Sequence, residues 1–455
     1  MALTACDGGT DLAARLRITV DDDLPATANE VGPANANNSP DLAVDPTNSL
    51  FVVMAHRLDA AVFGCALQVS GDGGRGFVGA SPVSNLPAGV EKCYAPEVEF
   101  DERGVLYYLF VGLHGRGNTV VGVYLTTSTD RGRSFSEPRH ILGANNFGVR
   151  MAINRYGDKR GRIHLVWLAS NADPSVNSLP TPPNPIVTAY SDDRGASFTP
   201  PVQVSDPGRA LVVAPTLALG LDDRVVVSYY DLRNDVRDYH GLEGPTWEEP
   251  WSVIVVSSSD GGRTFGRSHI VDDTVVPPER VLLIFTMPPP SVAIAGDGRI
   301  VVAWHDARNG DWDAFIRTSG DDGRTWSGIN RLNDDPVNNG RHQYQPRLAV
   351  APNGRVDAVF YDRRDDGANL RNDVFFAYSA DGGASFSRNV KLTSKASSSR
   401  TGPRYVGTPL GLIEYGSRLG LLSRDDSSVA AWTDTRNAPL PDYQDIFVTT
   451  VRFEH

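Results

Sequence analysis

The sequence predicts an all-β protein, a seven-bladed β-propeller with four-stranded blades. Three observations carry that prediction. One short turn, Ser-x-Asp-x-Gly-x-x-Phe/Trp, starts at Ser70, Ser128, Ser191, Ser258, Ser319 and Ser379, with steps of 58, 63, 67, 61 and 60 residues. Between the turns lie short apolar, β-branched runs such as Ile300-Val301-Val302-Ala303-Trp304. A period of this size with strand-like segments between the turns means radial repetition of a small sheet. Finally, seven units of this period fill the 455 residues, so no second domain is needed. Residues 15–455 therefore read as one propeller domain and residues 1–14 as a flexible N-terminal segment. Because only six turns occur, six blades is the alternative.

Each part of the turn has a physical task. The carboxylates of Asp72, Asp130, Asp193, Asp260, Asp321 and Asp381 can accept backbone N–H groups of their own turns. The glycine permits a positive φ. The closing aromatic residue (Phe77, Phe135, Phe198, Phe265, Trp326 or Phe386) drops into the apolar layer between sheets. This turn is the Asp box, and the chain resembles the sialidase-type, BNR-repeat β-propellers. The resemblance implies that the six boxes are scaffold lying away from the site, and not catalytic acids or calcium ligands.

Within a unit the innermost strand begins after a proline, as in Pro40-Asp41-Leu42-Ala43-Val44, Pro96-Glu97-Val98 and Pro346-Arg347-Leu348. A tight polar turn such as Gly296-Asp297-Gly298 leads to an apolar second strand. A third strand then runs straight into the Asp box, and a fourth leaves it. There are six boxes but seven third strands, the last at Asp445–Val451. Its blade lacks an outer strand, and Arg15–Asp22 has the fourth-strand pattern. The N-terminus is thus expected to close the ring on the last blade, pairing edges otherwise left open.

Composition narrows the function classes. The 44 Gly and 31 Pro suit a turn-rich β protein. A net charge of −12 without a basic run argues against a nucleic-acid partner. No run approaches the roughly 20 apolar residues of a membrane helix. Leu3-Thr4-Ala5-Cys6 has the form of a bacterial lipobox, although the charged and apolar parts of a signal peptide do not precede it. Residues 1–14 are read as a truncated lipoprotein signal remnant or as a chance match. Cys65 and Cys93 both fall near the same face; they form a disulfide, which would favour an oxidising, extracytoplasmic compartment, or stay as two buried thiols. The nine histidines show no metal-ligand spacing, and neither metal nor cofactor is expected.

Topology sorts the loops. Connections from second to third strands, and from each blade to the next, share one face and vary in length, so specificity is expected there. Two residue sets converge on that face. Asp-x-Arg ends four second strands, at Asp231/Arg233, Asp306/Arg308, Asp362/Arg364 and Asp434/Arg436, and its repetition favours a structural ion pair. The second set follows the inner-strand prolines and does not repeat: Asp41, Glu97, Thr216 and Arg347, with Arg150 at the matching place. These residues should surround the mouth of the central channel. Asp41 and Glu97, in adjacent blades, are the candidate catalytic pair, since two carboxylates facing one pocket can cleave a glycoside. Arg57, Arg150, Arg347, His56, His305 and Tyr361 are the candidate substrate-binding residues. The loop Asn234–Pro250, with Glu243, Glu248 and Glu249, is a candidate lid.

Sialidases, which this chain resembles, have six blades and use three arginines on a carboxylate, an acid/base Asp and a Tyr–Glu pair. Their early Arg-Ile-Pro motif is absent here, and Ser39-Pro40-Asp41 stands near its place. The resemblance therefore implies an extracytoplasmic, glycan-active glycoside hydrolase, without specifying sialidase activity. The alternatives are a non-catalytic propeller that binds a protein or saccharide through the variable face, and a polysaccharide lyase using Tyr344 or Tyr361 with a neighbouring arginine.

Overall fold

A computed structural model describes residues 16–27, 36–60, 62–80, 86–116, 118–170, 182–236, 249–277, 288–404, 413–438, 441 and 443–454. Residues 1–14 in full, with the lipobox at Leu3–Cys6, and Glu243 and Glu248 of the candidate lid lie outside the described residues.

Seven antiparallel sheets are arranged in chain order. Their inner strands are Asn37–Val44, Lys92–Phe100, Asn146–Ile153, Val212–Leu219, Ser291–Ile294, Gln343–Val350 and Gly420–Ser423. Each inner strand packs on the next, and the seventh packs on the first, so the ring is closed. We number the blades 1 to 7 in that order. Second strands such as Val225–Asp231 and Val356–Asp362 are buried throughout, because both of their faces meet a neighbouring sheet. Among the described residues no helix is long and apolar enough to cross a membrane.

The N-terminus closes the ring as expected. Arg17–Val20 pairs antiparallel with Asp445–Glu454, from Arg17 opposite Glu454 to Val20 opposite Val451. Side chains reinforce the pairing. Asp21 accepts from Arg452 at 3.1 and 2.6 Å, and Asp23 takes an ion pair of 2.5 Å from Arg436. Blade 7 is thereby completed by both ends of the chain, a covered edge where an open one would invite other strands.

The Asp boxes behave as scaffold. In the second box Ser128 donates to Asp130 at 2.8 Å and accepts the Gly132 N–H at 2.8 Å, while Asp130 also accepts Ser134 N–H at 2.9 Å. Hydrogen bonds from Ser134 hold the Asp130 carboxyl down at about 2, and Asp193 is held down in the same way. Cys65 and Cys93 are joined in a disulfide with Cα atoms 5.6 Å apart, tying the third strand of blade 1 to the inner strand of blade 2.

Two outcomes follow for stability. The disulfide closes a sequence separation of 28 residues, for which chain entropy gives about 3–4 kcal/mol. The Cys65→Ser/Cys93→Ser double variant should lose roughly that amount in denaturant titration. Deleting residues 1–22 should lower the thermal midpoint by roughly 5 °C or more, at ~2–4 °C per kcal/mol, and should expose a free edge detectable as concentration-dependent association in light scattering.

Candidate functional site at the axial mouth

The inner strands share one irregularity. Pairing with the second strand slips between Asn38 and Asp41, Tyr94 and Glu97, Phe147 and Arg150, Val213 and Thr216, and Tyr344 and Arg347. At each slip one residue is left-handed: Ser39, Ala95, Gly148, Ala214 and Gln345, with φ of 56, 49, 60, 54 and 54°. Four of these five carry a β-carbon, at a cost of roughly 1–2 kcal/mol each. A bulge re-aims the side chain beside it. Here the residue two places on is delivered to the axis in five blades: Asp41, Glu97, Arg150, Thr216 and Arg347. Gly416, with φ of 85°, stands two residues before Arg418 and puts that arginine in the same ring. Ser291 holds the equivalent place in blade 5, after Pro290.

These side chains also latch neighbouring blades. Asp41 accepts the Val98 N–H at 3.0 Å, Glu97 accepts that of Met151 at 3.2 Å, and Ser291 accepts that of Leu348 at 2.9 Å. Each acceptor thus binds the backbone just past the ring residue of the following blade. One step deeper on the same face of the inner strands stand Ala43, Glu99, Ala152, Ala218, Ala293, Ala349 and Gly420. This layer is small except for Glu99, which pairs with Arg155.

Charge is unevenly shared around the ring. Glu97 is buried and accepts from Arg150 at 2.6 Å and also from Arg418. Burial works against its charge, but the two guanidiniums and the Met151 N–H prevail, and its pKa falls below 4.5. Arg418 is otherwise satisfied by the Ser39 and Pro96 carbonyls, at 3.1 and 2.5 Å. Asp41 moves the other way. Loss of water and repulsion by Glu97 raise its pKa above 3.8 despite Arg418 and Arg347. Arg347 differs from its neighbours, since among the described residues its guanidinium makes neither a hydrogen bond nor an ion pair, and its Nε is buried without a partner. Burial lowers its pKa from the ordinary arginine value.

The ring therefore unites Asp41, Glu97, Arg150 and Arg347. Arg57 lies outside it, in a buried network with Asp59 (3.1 Å), Tyr94 (2.7 Å) and Glu414 (3.4 Å). Its charge still reaches Arg418. His56 is fully buried beside the Arg57 carbonyl, at 3.4 Å. Tyr361 is fully buried, and its hydroxyl donates to the Thr433 carbonyl at 3.2 Å and accepts the Thr433 N–H at 3.0 Å. Tyr344 is buried with it and donates to Asn372 at 2.7 Å. His305 is partly exposed near Trp312 and Tyr344, and burial lowers its pKa to about 4, leaving a neutral imidazole at pH 7. Of the Asp-x-Arg pairs, Arg308, Arg364 and Arg436 bind the Asp two residues earlier at 2.9, 2.8 and 2.9 Å and lie over Phe315, Phe375 and Phe447. Those three are structural. In blade 4 Asp231 instead pairs with Arg209. Arg418 escaped the sequence reading because Gly416-Ser417 replaces the proline signal. The glycine two places ahead, shared with Gly148 and Arg150, was the available clue.

Residues 225–402, which contain three of the six Asp boxes, match the family model described as a BNR repeat-like domain. The chain is an Asp-box β-propeller, and this part of it is similar to the BNR repeats. No curated protein matches it in sequence. Among solved structures this propeller is similar to a protein of unknown function from Dyadobacter fermentans, at 13% identity and TM-score 0.51, covering 96% of this chain and 99% of that one. An ulvan lyase, a polysaccharide lyase solved with -[GlcA(1-4)Rha3S]-, matches at 12% identity and TM-score 0.51, over 91% and 94% of the two chains. A Hadza microbial sialidase matches at 15% identity and TM-score 0.47, over 90% and 74%. At these identities the likeness is one of fold.

The propeller's ring electrostatics give a pH signature. Glu97 is held ionised in the fold, so its contribution to stability is complete above its ordinary value of 4.5 and is lost as pH falls through the lower folded value. Glu97→Gln takes the shared carboxylate from buried Arg418 and part-buried Arg150 and should cost about 3–5 kcal/mol at pH 7. In denaturant titrations, the gap to wild type should narrow as pH drops below 4.5.

Proposed function

We propose that this propeller is a glycan-active glycoside hydrolase working at the axial mouth. The observation that carries the reading is a pair of carboxyl groups in one ring whose environments push their pKa values apart. Such pairs divide acid from charge-bearing roles. Asp41, partly exposed and raised, is the proton donor to the leaving glycosidic oxygen. Glu97, fixed and ionised, opposes ionisation of Asp41 through its negative charge. The bond between the anomeric carbon and the leaving oxygen breaks, the oxygen takes the Asp41 proton, and water from the open face supplies the hydroxyl to the anomeric carbon. The second proton of that water restores Asp41. Arg347, unengaged at the rim of the ring, is suited to hold an acidic or hydroxyl group of the sugar.

An extracytoplasmic location belongs to the same proposal, since the Cys65–Cys93 disulfide persists in oxidising compartments. The fold neighbours that bind or cleave glycans support the glycan class. One observation favours the second reading, a non-catalytic saccharide or protein binder. Glu97 spends its oxygens on Arg150, Arg418 and Met151, leaving little capacity to activate a nucleophile.

A panel of fluorogenic glycosides and acidic polysaccharides separates the two. Hydrolysis by wild type that falls about 10²–10⁴-fold in Asp41→Asn, with the thermal midpoint retained, is the expected result. Inactivity of wild type across the panel, together with saccharide binding lost in Arg347→Gln, would establish the binder instead.

A further inference from the structure

We infer that a second, independent saccharide-binding site lies on the outer rim of blade 4, on the Asp-box face and away from the axis. It takes the sulfate or carboxylate groups of an anionic polysaccharide. Two adjoining grooves of about 680 and 720 Å³ meet there, sharing Gly266, Arg267, His269 and Arg324. Each is within the range of about 300–1,000 Å³ for ligand clefts. They run between the outer strands Val202–Gln203 of blade 3 and His269–Val275 of blade 4, and reach the Asp box of blade 5.

Arginines dominate the charge. Arg209 and Arg224 line the grooves but are committed, to Asp231 and to Asp222 with Asp322. Arg267 and Arg324 are not. Both are exposed, and among the described residues neither side chain makes a hydrogen bond or ion pair. His269 feels both guanidiniums and, against them, the carboxylates of Asp321 and Asp322; burial and the two arginines prevail and lower the imidazole pKa, so the ring stays neutral at pH 7. Two guanidiniums without a hydrogen bond or ion pair thus border one groove, beside the carboxylates of Asp206 and Asp322.

The rest of the lining suits a sugar chain better than an acidic peptide. Gln203, Ser268 and the neutral His269 offer hydrogen-bonding groups along the groove. Ile270, 44% exposed, supplies one apolar surface for a sugar ring. No deep apolar pocket that would anchor a peptide side chain is part of the described lining. Guanidinium pairs bind sulfate and carboxylate through two parallel N–H bonds, which gives direction as well as attraction.

The test uses the full chain, dextran sulfate and polygalacturonate as probes, poly-glutamate as the peptide control, and calorimetric titration. The Arg267→Gln/Arg324→Gln variant should bind at least one polysaccharide about tenfold or more weakly than wild type. In Asp41→Asn/Arg347→Gln, altered only at the axis, the binding step that the rim variant loses should persist whatever happens to an axial step, so failure of the axial reading is read separately. Unchanged affinity in the rim variant overturns the inference. So does equal binding of poly-glutamate, which would mean unselective attraction, or loss of binding only in the axial variant. Raising salt should weaken the interaction, as it does for any exposed charge pair.

Discussion

Closing a ring of sheets forces seven strands to converge, and whatever side chains they carry at the axis must share one confined space. In this protein the converging positions hold two carboxylates and three arginines, in Asp41, Glu97, Arg150, Arg347 and Arg418. Charges brought together out of water are tolerated only when each finds a partner or changes its protonation. Glu97 is held by two guanidiniums, Asp41 holds the Val98 N–H with its pKa raised by burial and by Glu97, and Arg347 keeps its guanidinium free of hydrogen bonds. The uneven result is what distinguishes the axis from the rest of the fold.

The strained bulges are part of the same arrangement. Ala95, Ala214, Ser39 and Gln345 adopt left-handed backbone without being glycine. Strain of this kind persists where surrounding structure over-determines it, and it clusters at functional sites. The compensation is visible, since the residue that each bulge delivers to the ring in blades 1 and 2 also caps a backbone N–H of the next blade. The channel mouth and the contact between blades are therefore built by the same atoms. The repeated devices farther out are different in kind. Trp304 and Trp432 donate to the carboxylates of Asp306 and Asp434, which in turn bind Arg308 and Arg436 over an aromatic ring. The arginine-on-carboxylate unit recurs in blades 5, 6 and 7.

Repetition is also the key to the rim. A position that varies between blades is free of the common structural task. The axis varies among the bulge-delivered residues, and the rim varies at Arg267, which has Pro200, Gly328 and Arg388 as counterparts after the boxes of blades 3, 5 and 6. Two faces of one ring can in this way carry separate contacts with a long polymer, one at the axis and one at the edge.

Much of this was legible in the chain itself. The Asp-box period with the chain length pointed to seven blades, with six as the alternative; the unmatched third strand at Asp445–Val451 pointed to closure by the N-terminus; and the non-repeating residues after inner-strand prolines, with Arg150 at the matching place, put Asp41, Glu97, Arg150 and Arg347 at one mouth. Period and pattern suffice for these because each is a local rule repeated along the sequence. Tertiary structure alone decided which charges meet. Arg418 joins the ring through a glycine-led bulge, Arg57 turns away into a buried network with Asp59 and Glu414, and Tyr361 is spent on Thr433. Partner choice among buried charges depends on distance, burial and backbone twist across residues hundreds of positions apart, and no local pattern encodes those.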